Sequence, residues 1–181
     1  WTADHKRYTD ASPNQLTADA EESLRRLGLK KFDCLLLHAI DPKVDLKRSA
    51  DAIDALRRRG LADRIGISNA NREEIQQFAS YVNCAAIQCP LNFLQRHSLE
   101  SVIPAASQLD ASVYVYWTLM KGLLAGQISR DHQFEVGDSR PGYEIFQGEK
   151  RRRAHDVVDR LWRIAQQHDT TVAKLSIGWA V

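Results

Sequence analysis

The amino-acid sequence predicts an α/β fold built on a parallel sheet. Three observations predict it. Short apolar runs that read as strands alternate with stretches whose apolar residues recur at helical spacing. The strand runs lack polar alternation, as strands covered on both faces do. Helix start and stop residues fall at the boundaries between the two patterns. Strict alternation of this kind gives parallel strands joined by right-handed crossovers.

The first helix starts at Ser12 as N-cap with Pro13 behind it, carries Leu16, Ala20, Leu24 and Leu27 on one face, and closes at Gly28. A strand over Asp33–Leu37 follows. The next helix begins near Asp45, turns Leu46, Ala50, Ile53 and Leu56 inward and stops at Gly60. Strand Arg64–Ser68 leads to Asn71-Arg-Glu-Glu74, a capping box for a third helix with Ile75, Phe78, Ala79 and Val82 facing inward. Strand Ala85–Cys89 precedes a helix with Leu99, Val102, Ile103 and Ala106 on its inner face. After strand Ser112–Tyr116 a long loop runs to about Gly148. Two helices finish the chain, one with Val157, Val158, Leu161 and Ile164, the other starting near Thr171.

Two architectures accommodate this order, an open doubly wound sheet and a (β/α)8 barrel. The first usually carries G-x-G-x-x-G after a strand, and no such run occurs here. Gly122-x-x-x-Gly126 lacks the lysine and hydroxyl of a phosphate-binding P-loop. A complete barrel takes about 250 residues, against 181 residues and four strands here. The chain opens on Trp1, its single methionine is Met120, and it ends inside the helical pattern Leu175–Val181. The expectation is therefore an α/β fold forming an incomplete (β/α)8 TIM barrel: about four parallel strands with flanking helices, one partial domain over residues 1–181, a fragment of a longer protein.

With 44% hydrophobic and 27% charged residues and a net charge of +2, the composition is that of an ordinary soluble domain. The charge is too even to argue for a nucleic-acid or membrane partner. Arg57-Arg58-Arg59 and Arg151-Arg152-Arg153 read as solvated helix faces. Cys34, Cys84 and Cys89 form no C-x-x-C pair and read as buried free thiols in a reducing cytoplasm, with no metal site. The sequence leads to the expectation of no signal peptide and no membrane-spanning segment, since it contains no apolar run of that length.

Chemistry in parallel α/β folds gathers at the carboxyl ends of strands. Those ends are His38, Ser68-Asn69, Gln88 and Tyr116-Trp117. Singly, each has a structural reading: a rim histidine, a turn former, a loop bridge, a core aromatic. Four such tips pointing into one mouth predict a binding site with amide-pairing groups, a flat stacking surface and a proton-active imidazole.

The segments LLLH (35–38), RIGISNA (64–70), IQCPLN (87–92) and VYWTLMKGLLAG (115–126) resemble the aldo-keto reductase superfamily in order and spacing, as does ESLRRLGLKKFDCLLLH ahead of the histidine. The resemblance covers essentially the whole chain. It implies a barrel that binds NADPH across its mouth and reduces an aldehyde or ketone by hydride transfer. His38 resembles the family histidine that hydrogen-bonds the substrate carbonyl. Ser68, Asn69 and Gln88 match the residues that hold the nicotinamide carboxamide, which needs both donors and acceptors. Tyr116 matches the aromatic stacked on the nicotinamide, and Trp117, Leu119, Lys121 and Gly122 belong to the loop that approaches the pyrophosphate. Trp117 and Thr118 stand where the family often has serine and proline, and Ala39 stands where an aromatic commonly follows the histidine. The family's general-acid tyrosine, its lysine and its aspartate are expected on earlier strands, and the contacts to the adenosine phosphate beyond Val181. Residues 1–181 alone are accordingly expected to be inactive. A non-catalytic nucleotide-sensing subunit on the same fold and an unrelated barrel isomerase or aldolase remain as alternatives.

Overall fold

Local signals set the helix boundaries in the computed structural model, which describes residues 8–181. Trp1 lies outside the described residues. Helix α1 (Pro13–Leu27) starts from extended Ser12, whose carbonyl accepts the Leu16 N–H at 2.9 Å. Gly28 closes it at φ +66°, a left-handed conformation that turns the N–H groups of Gly28 and Leu29 back onto the carbonyls of Arg25 and Leu24. Asp45 caps α2 (Leu46–Arg58) by accepting the Lys47 N–H at 2.9 Å. The capping box of α3 (Arg72–Tyr81) is complete: Asn71 accepts the Glu74 N–H at 2.9 Å, and Glu74 accepts the Asn71 N–H at 2.7 Å. Helices α4 (Val102–Gln108), α5 (Gly148–Gln167) and α6 (Val172–Ala180) follow.

Strands β1 (Phe32–Leu37), β2 (Ala62–Ser68), β3 (Ala86–Pro90) and β4 (Ser112–Tyr116) form one sheet in that order, with β1/β2 and β2/β3 parallel. The sheet is not closed. The chain packs as two compact units: residues up to Cys89 with His97–Tyr114, and Pro90–Arg96 with Val115–Val181.

In the first unit, Leu37, Ile65, Ile67 and Ile87 of the strands and Ile53, Leu56, Ile75 and Phe78 of the helices are buried. Each such side chain contributes roughly 1.5–3 kcal/mol by leaving water. Register then decides which residues share a face. Leu36 pairs with Gly66 and Gly66 with Ala86, so these three form one layer across the strands. Gly66 permits this layer, because a Cβ there would lie 1.9 Å from the Ala86 carbonyl oxygen.

Several sequence expectations need correction. Of the run Cys34–Leu37, expected to be buried on both faces, only Leu37 is buried, and Val113 and Tyr114 of β4 are exposed. The reason is topological: among the described residues β1 and β4 are the outermost strands of this sheet. Cys34 is for the same reason half-buried, while Cys84 and Cys89 are buried; all three thiols are free. Leu99, placed on the inner face of a helix, is 44% exposed because it sits in a short 3-10 turn ahead of α4. Leu27 and Ile164 are exposed in the last turns of α1 and α5, and Ile164 lies off the stripe Ala154, Val158, Leu161, Ala165 that α5 buries. Arg57 and Arg58 pair with Asp54, Arg59 with Glu21, and Arg152 and Arg153 with Glu149. Such exposed pairs add little to stability, because solvent screens them. Arg151 departs from the solvated reading: it is half-buried and donates to the His132 carbonyl at 2.7 Å.

The second unit has its own core of Met120, Leu123, Leu124, Ile128 and Phe146 against the α5 stripe and Val172. The long loop ahead of α5 is pinned rather than free. Phe134 meets Phe146 and His132 edge-on, and the guanidinium groups of Arg140 and Arg151 lie 4.9 and 5.5 Å from its ring centre. Asp138 is held by Arg140, which lowers its carboxyl to about 2.

His155 on α5 is only 3% exposed, and among the described residues its Nε2 has no hydrogen-bond partner. Burial first, then the charges of Arg130 and Arg151, lower its affinity for a proton, while Asp159 and Asp156 oppose them. The folded state therefore favours the neutral ring. Below pH ~6.5, the ordinary imidazole value, the unfolded chain takes up a proton that the folded chain refuses, so stability falls as pH drops toward the lowered folded value. His155→Phe is expected to flatten this loss below about pH 6.5, read as the change in the denaturant midpoint with pH. A parental slope in the variant would assign the loss elsewhere.

Candidate functional site

In the first unit, the layer beyond Leu36, Gly66 and Ala86 carries polar groups. Ser68 pairs with Gln88 in register, and His38 follows Leu37, the partner of Ile67. These side chains stand at the carboxyl ends of three adjacent strands. Ser68 is 1% exposed, with its Oγ 3.3 Å from the Gln88 carbonyl oxygen and 3.4 Å from Gln88 Oε1. Asn69 adopts φ +54°, which asparagine tolerates better than most residues. Its Nδ2 donates to the His38 carbonyl at 2.8 Å and lies 3.3 Å from Ser68 Oγ, and its N–H reaches the Gln88 carbonyl at 3.4 Å. Asn69 thus ties the tips of β1, β2 and β3 together. The His38 ring is exposed, and a cavity of about 720 Å³ bounded by Tyr8, Asp10, Leu16, Asp19 and Leu37 lies against it.

In the second unit the chain leaves β4 through a turn of unusual backbone. Trp117, Met120, Lys121 and Gly122 all have positive φ, at +57°, +42°, +52° and +94°. Gly122 is required by conformation rather than by space, since a Cβ there would meet nothing closer than 3.7 Å. The Leu119 carbonyl accepts the N–H groups of Gly122 at 2.9 Å and Leu124 at 3.1 Å. The Tyr116 ring meets Trp117 edge-on at 5.6 Å, and Trp117 meets Tyr143 edge-on at 5.5 Å. The Lys121 ammonium lies 4.9 Å from the Trp117 ring centre and 4.3 Å from that of Tyr143. Two aromatic faces thus hold one cation beside a strained turn.

The structure therefore brings His38, Ser68, Asn69 and Gln88 together in one unit and Tyr116, Trp117, Leu119, Lys121 and Gly122 together in the other. Sequence reasoning assigned no role to Asn92 or Tyr143. Tyr143 sits 22 positions from Lys121 inside a loop without periodicity, and nothing in the sequence links them. Asn92 ends the segment IQCPLN, four residues after Gln88, and carries no spacing that links it to Trp117. The thiols offer no competing chemistry: burial pushes Cys84 up to about 11 and raises Cys34 and Cys89 as well, so all three stay protonated near neutrality. Among the described residues no cluster of three or more His, Cys, Asp or Glu side chains is placed to hold a metal ion, and no helix is long and apolar enough to cross a membrane.

The sequence profile of the Aldo/keto reductase family matches residues 1–181, and the chain belongs to that family. It is 28% identical over 173 residues to the aldo-keto reductase YhdN of Bacillus subtilis (strain 168), which covers 95% of this chain and 52% of that protein. It is 25% identical over 179 residues to the NADH-specific methylglyoxal reductase of Escherichia coli (strain K12), covering 97% of this chain and 54% of that one. The structure superposes on glycerol dehydrogenase AKR11B4 from Gluconobacter oxydans with a TM-score of 0.89 at 29% identity, over 96% of this chain and 53% of the other. The chain spans about half the length of the curated relatives it matches.

Proposed function

We propose that the protein is an NADPH-dependent aldo-keto reductase of the cytoplasm that reduces the carbonyl of a small aldehyde or ketone to an alcohol. The observation that carries this reading is the hydrogen-bonded set at the tips of β1, β2 and β3, where Asn69 joins His38, Ser68 and Gln88. Their donor set fits a carboxamide, since hydroxyl and amide groups supply donors and acceptors in one place. Ser68, Asn69 and Gln88 would hold the nicotinamide carboxamide, and Tyr116 would cover one face of its ring. Trp117, Leu119, Lys121 and Gly122 would meet the pyrophosphate, with the Lys121 charge and the left-handed turn as the attracting features. When bound, the reduced nicotinamide supplies the hydride. His38 donates a hydrogen bond to the carbonyl oxygen, where negative charge develops. No tyrosine in the matched motifs delivers the proton, so residues 1–181 are proposed not to turn over alone.

Titration of the protein at its full natural length tests the reading. Tyr116→Ala is expected to weaken NADPH binding by roughly 1–3 kcal/mol through lost stacking and packing. Unchanged affinity removes the stacking role. NADPH is expected to bind more tightly than NADH, and the reverse order overturns that part of the reading. Cofactor binding without turnover of any carbonyl would favour a nucleotide-sensing subunit instead.

A further inference from the structure

Asn92 is completely buried, at 0% exposure, and its amide is used on both sides. Oδ1 accepts the N–H groups of Leu94 at 2.9 Å and Gln95 at 3.0 Å, which closes a local turn. Aspartate or serine could supply the same acceptor to these two N–H groups. Nδ2 donates within the turn, to Gln95 Oε1 at 3.3 Å, and also out of it, to the carbonyl of Trp117 at 3.1 Å, 25 residues away, and it lies 3.6 Å from Met120 Sδ. The preceding peptide acts on the same stretch, with the Leu91 N–H donating to the Tyr116 carbonyl at 3.2 Å. Two successive carbonyls of the segment leaving β4 are therefore held by two successive residues. That segment contains the four positive-φ residues between Trp117 and Gly122. Conformations of this kind persist only where the surroundings over-determine them.

We propose that Asn92 is a positioning residue that fixes the Trp117–Gly122 turn in its anion-receiving shape, through the donor that only an amide provides at this position. The inference rests on the cofactor reading above and extends it to a residue that touches neither cofactor nor substrate. Asn92→Asp keeps the acceptor bonds to Leu94 and Gln95, removes the donor and sets an oxygen against the Trp117 carbonyl and Gln95 Oε1. Asn92→Ser keeps a short acceptor and also removes the donor.

The test compares binding of NADPH and of ADP-ribose, with kcat and the KM for the carbonyl substrate, in parent and both variants at full natural length and at a temperature where each is folded. Either variant is expected to lose about ten-fold or more in affinity for both ligands, as a strained turn without its buried donor relaxes, while carbonyl KM and saturated kcat stay within about three-fold. Loss for NADPH with full affinity for ADP-ribose would place the effect at the nicotinamide end and overturn the proposal. Parental affinity for both, parallel loss of kcat and carbonyl KM, or failure of both variants to fold would also overturn it, the last two marking a merely structural role. If the parent binds neither ligand, the cofactor reading itself falls, and this inference with it.

Discussion

Replacement of His38 by alanine is expected to lower turnover by about two to three orders of magnitude, the usual cost of removing one preorganised donor to a developing oxyanion. NADPH affinity is expected to stay within about two-fold, because in the proposed function the imidazole would serve the carbonyl and not the carboxamide. The geometry supports this division. The His38 carbonyl is occupied by Asn69, which fixes the strand tip, while the ring itself is exposed beside a cavity. A ring required only to finish a strand would gain by packing or by pairing. Turnover and cofactor affinity measured separately in His38→Ala and His38→Gln check the claim. Near-normal kcat in the alanine variant would make His38 a rim residue.

What the sequence made legible was local. Ser12-Pro13, Gly28 and the Asn71–Glu74 box set helix ends because their physics involves only neighbours along the chain. The strand tips were legible because apolar runs end at polar residues. Exposure along the sheet was less so, since Cys34–Leu37 has the composition of a central strand but occupies an edge. Leu99 and Ile164 failed for a related reason: helical spacing fixes a periodicity, while the turn at which a helix starts and the neighbour it packs on select the buried stripe. Asn92 and Tyr143 were not legible at all. Their contacts span a 25-residue hydrogen bond and a cation held on an aromatic ring across a loop, and neither separation leaves a pattern.

Gly66 shows the opposite case, a residue whose necessity is visible only in register, and Gly66→Ala is expected to have the largest effect on stability. Gly66 stands on the central pair of the sheet between Leu36 and Ala86. An added Cβ would lie 1.9 Å from the Ala86 carbonyl oxygen, 2.7 Å from its carbonyl carbon and 2.9 Å from Leu36 Cδ2. Leu36 can rotate away, but the Ala86 peptide cannot. Relief requires β2 to separate from β3, which breaks the ladder Gly66–Ala86, Ile67–Ile87 and Ser68–Gln88 together with the Ala85 N–H to Ile65 carbonyl bond of 2.9 Å. Overpacking alone costs about 1–3 kcal/mol, and each broken ladder bond adds about 1 kcal/mol, so a loss of roughly 3 kcal/mol or more is expected. The Ser68–Gln88 layer moves with the strand, so the carboxamide recognition proposed for it should weaken in whatever fraction stays folded. Gly178 on α6 is the control: nothing lies within 4 Å of an added Cβ, and alanine there should stabilise the helix by about 0.5–1 kcal/mol. Denaturant midpoints of the two variants against the parent decide the matter. A Gly66→Ala protein that unfolds at the parental midpoint would show that β2 and β3 are not held in the close register described, and the Ser68–Asn69–Gln88 arrangement would lose its scaffold.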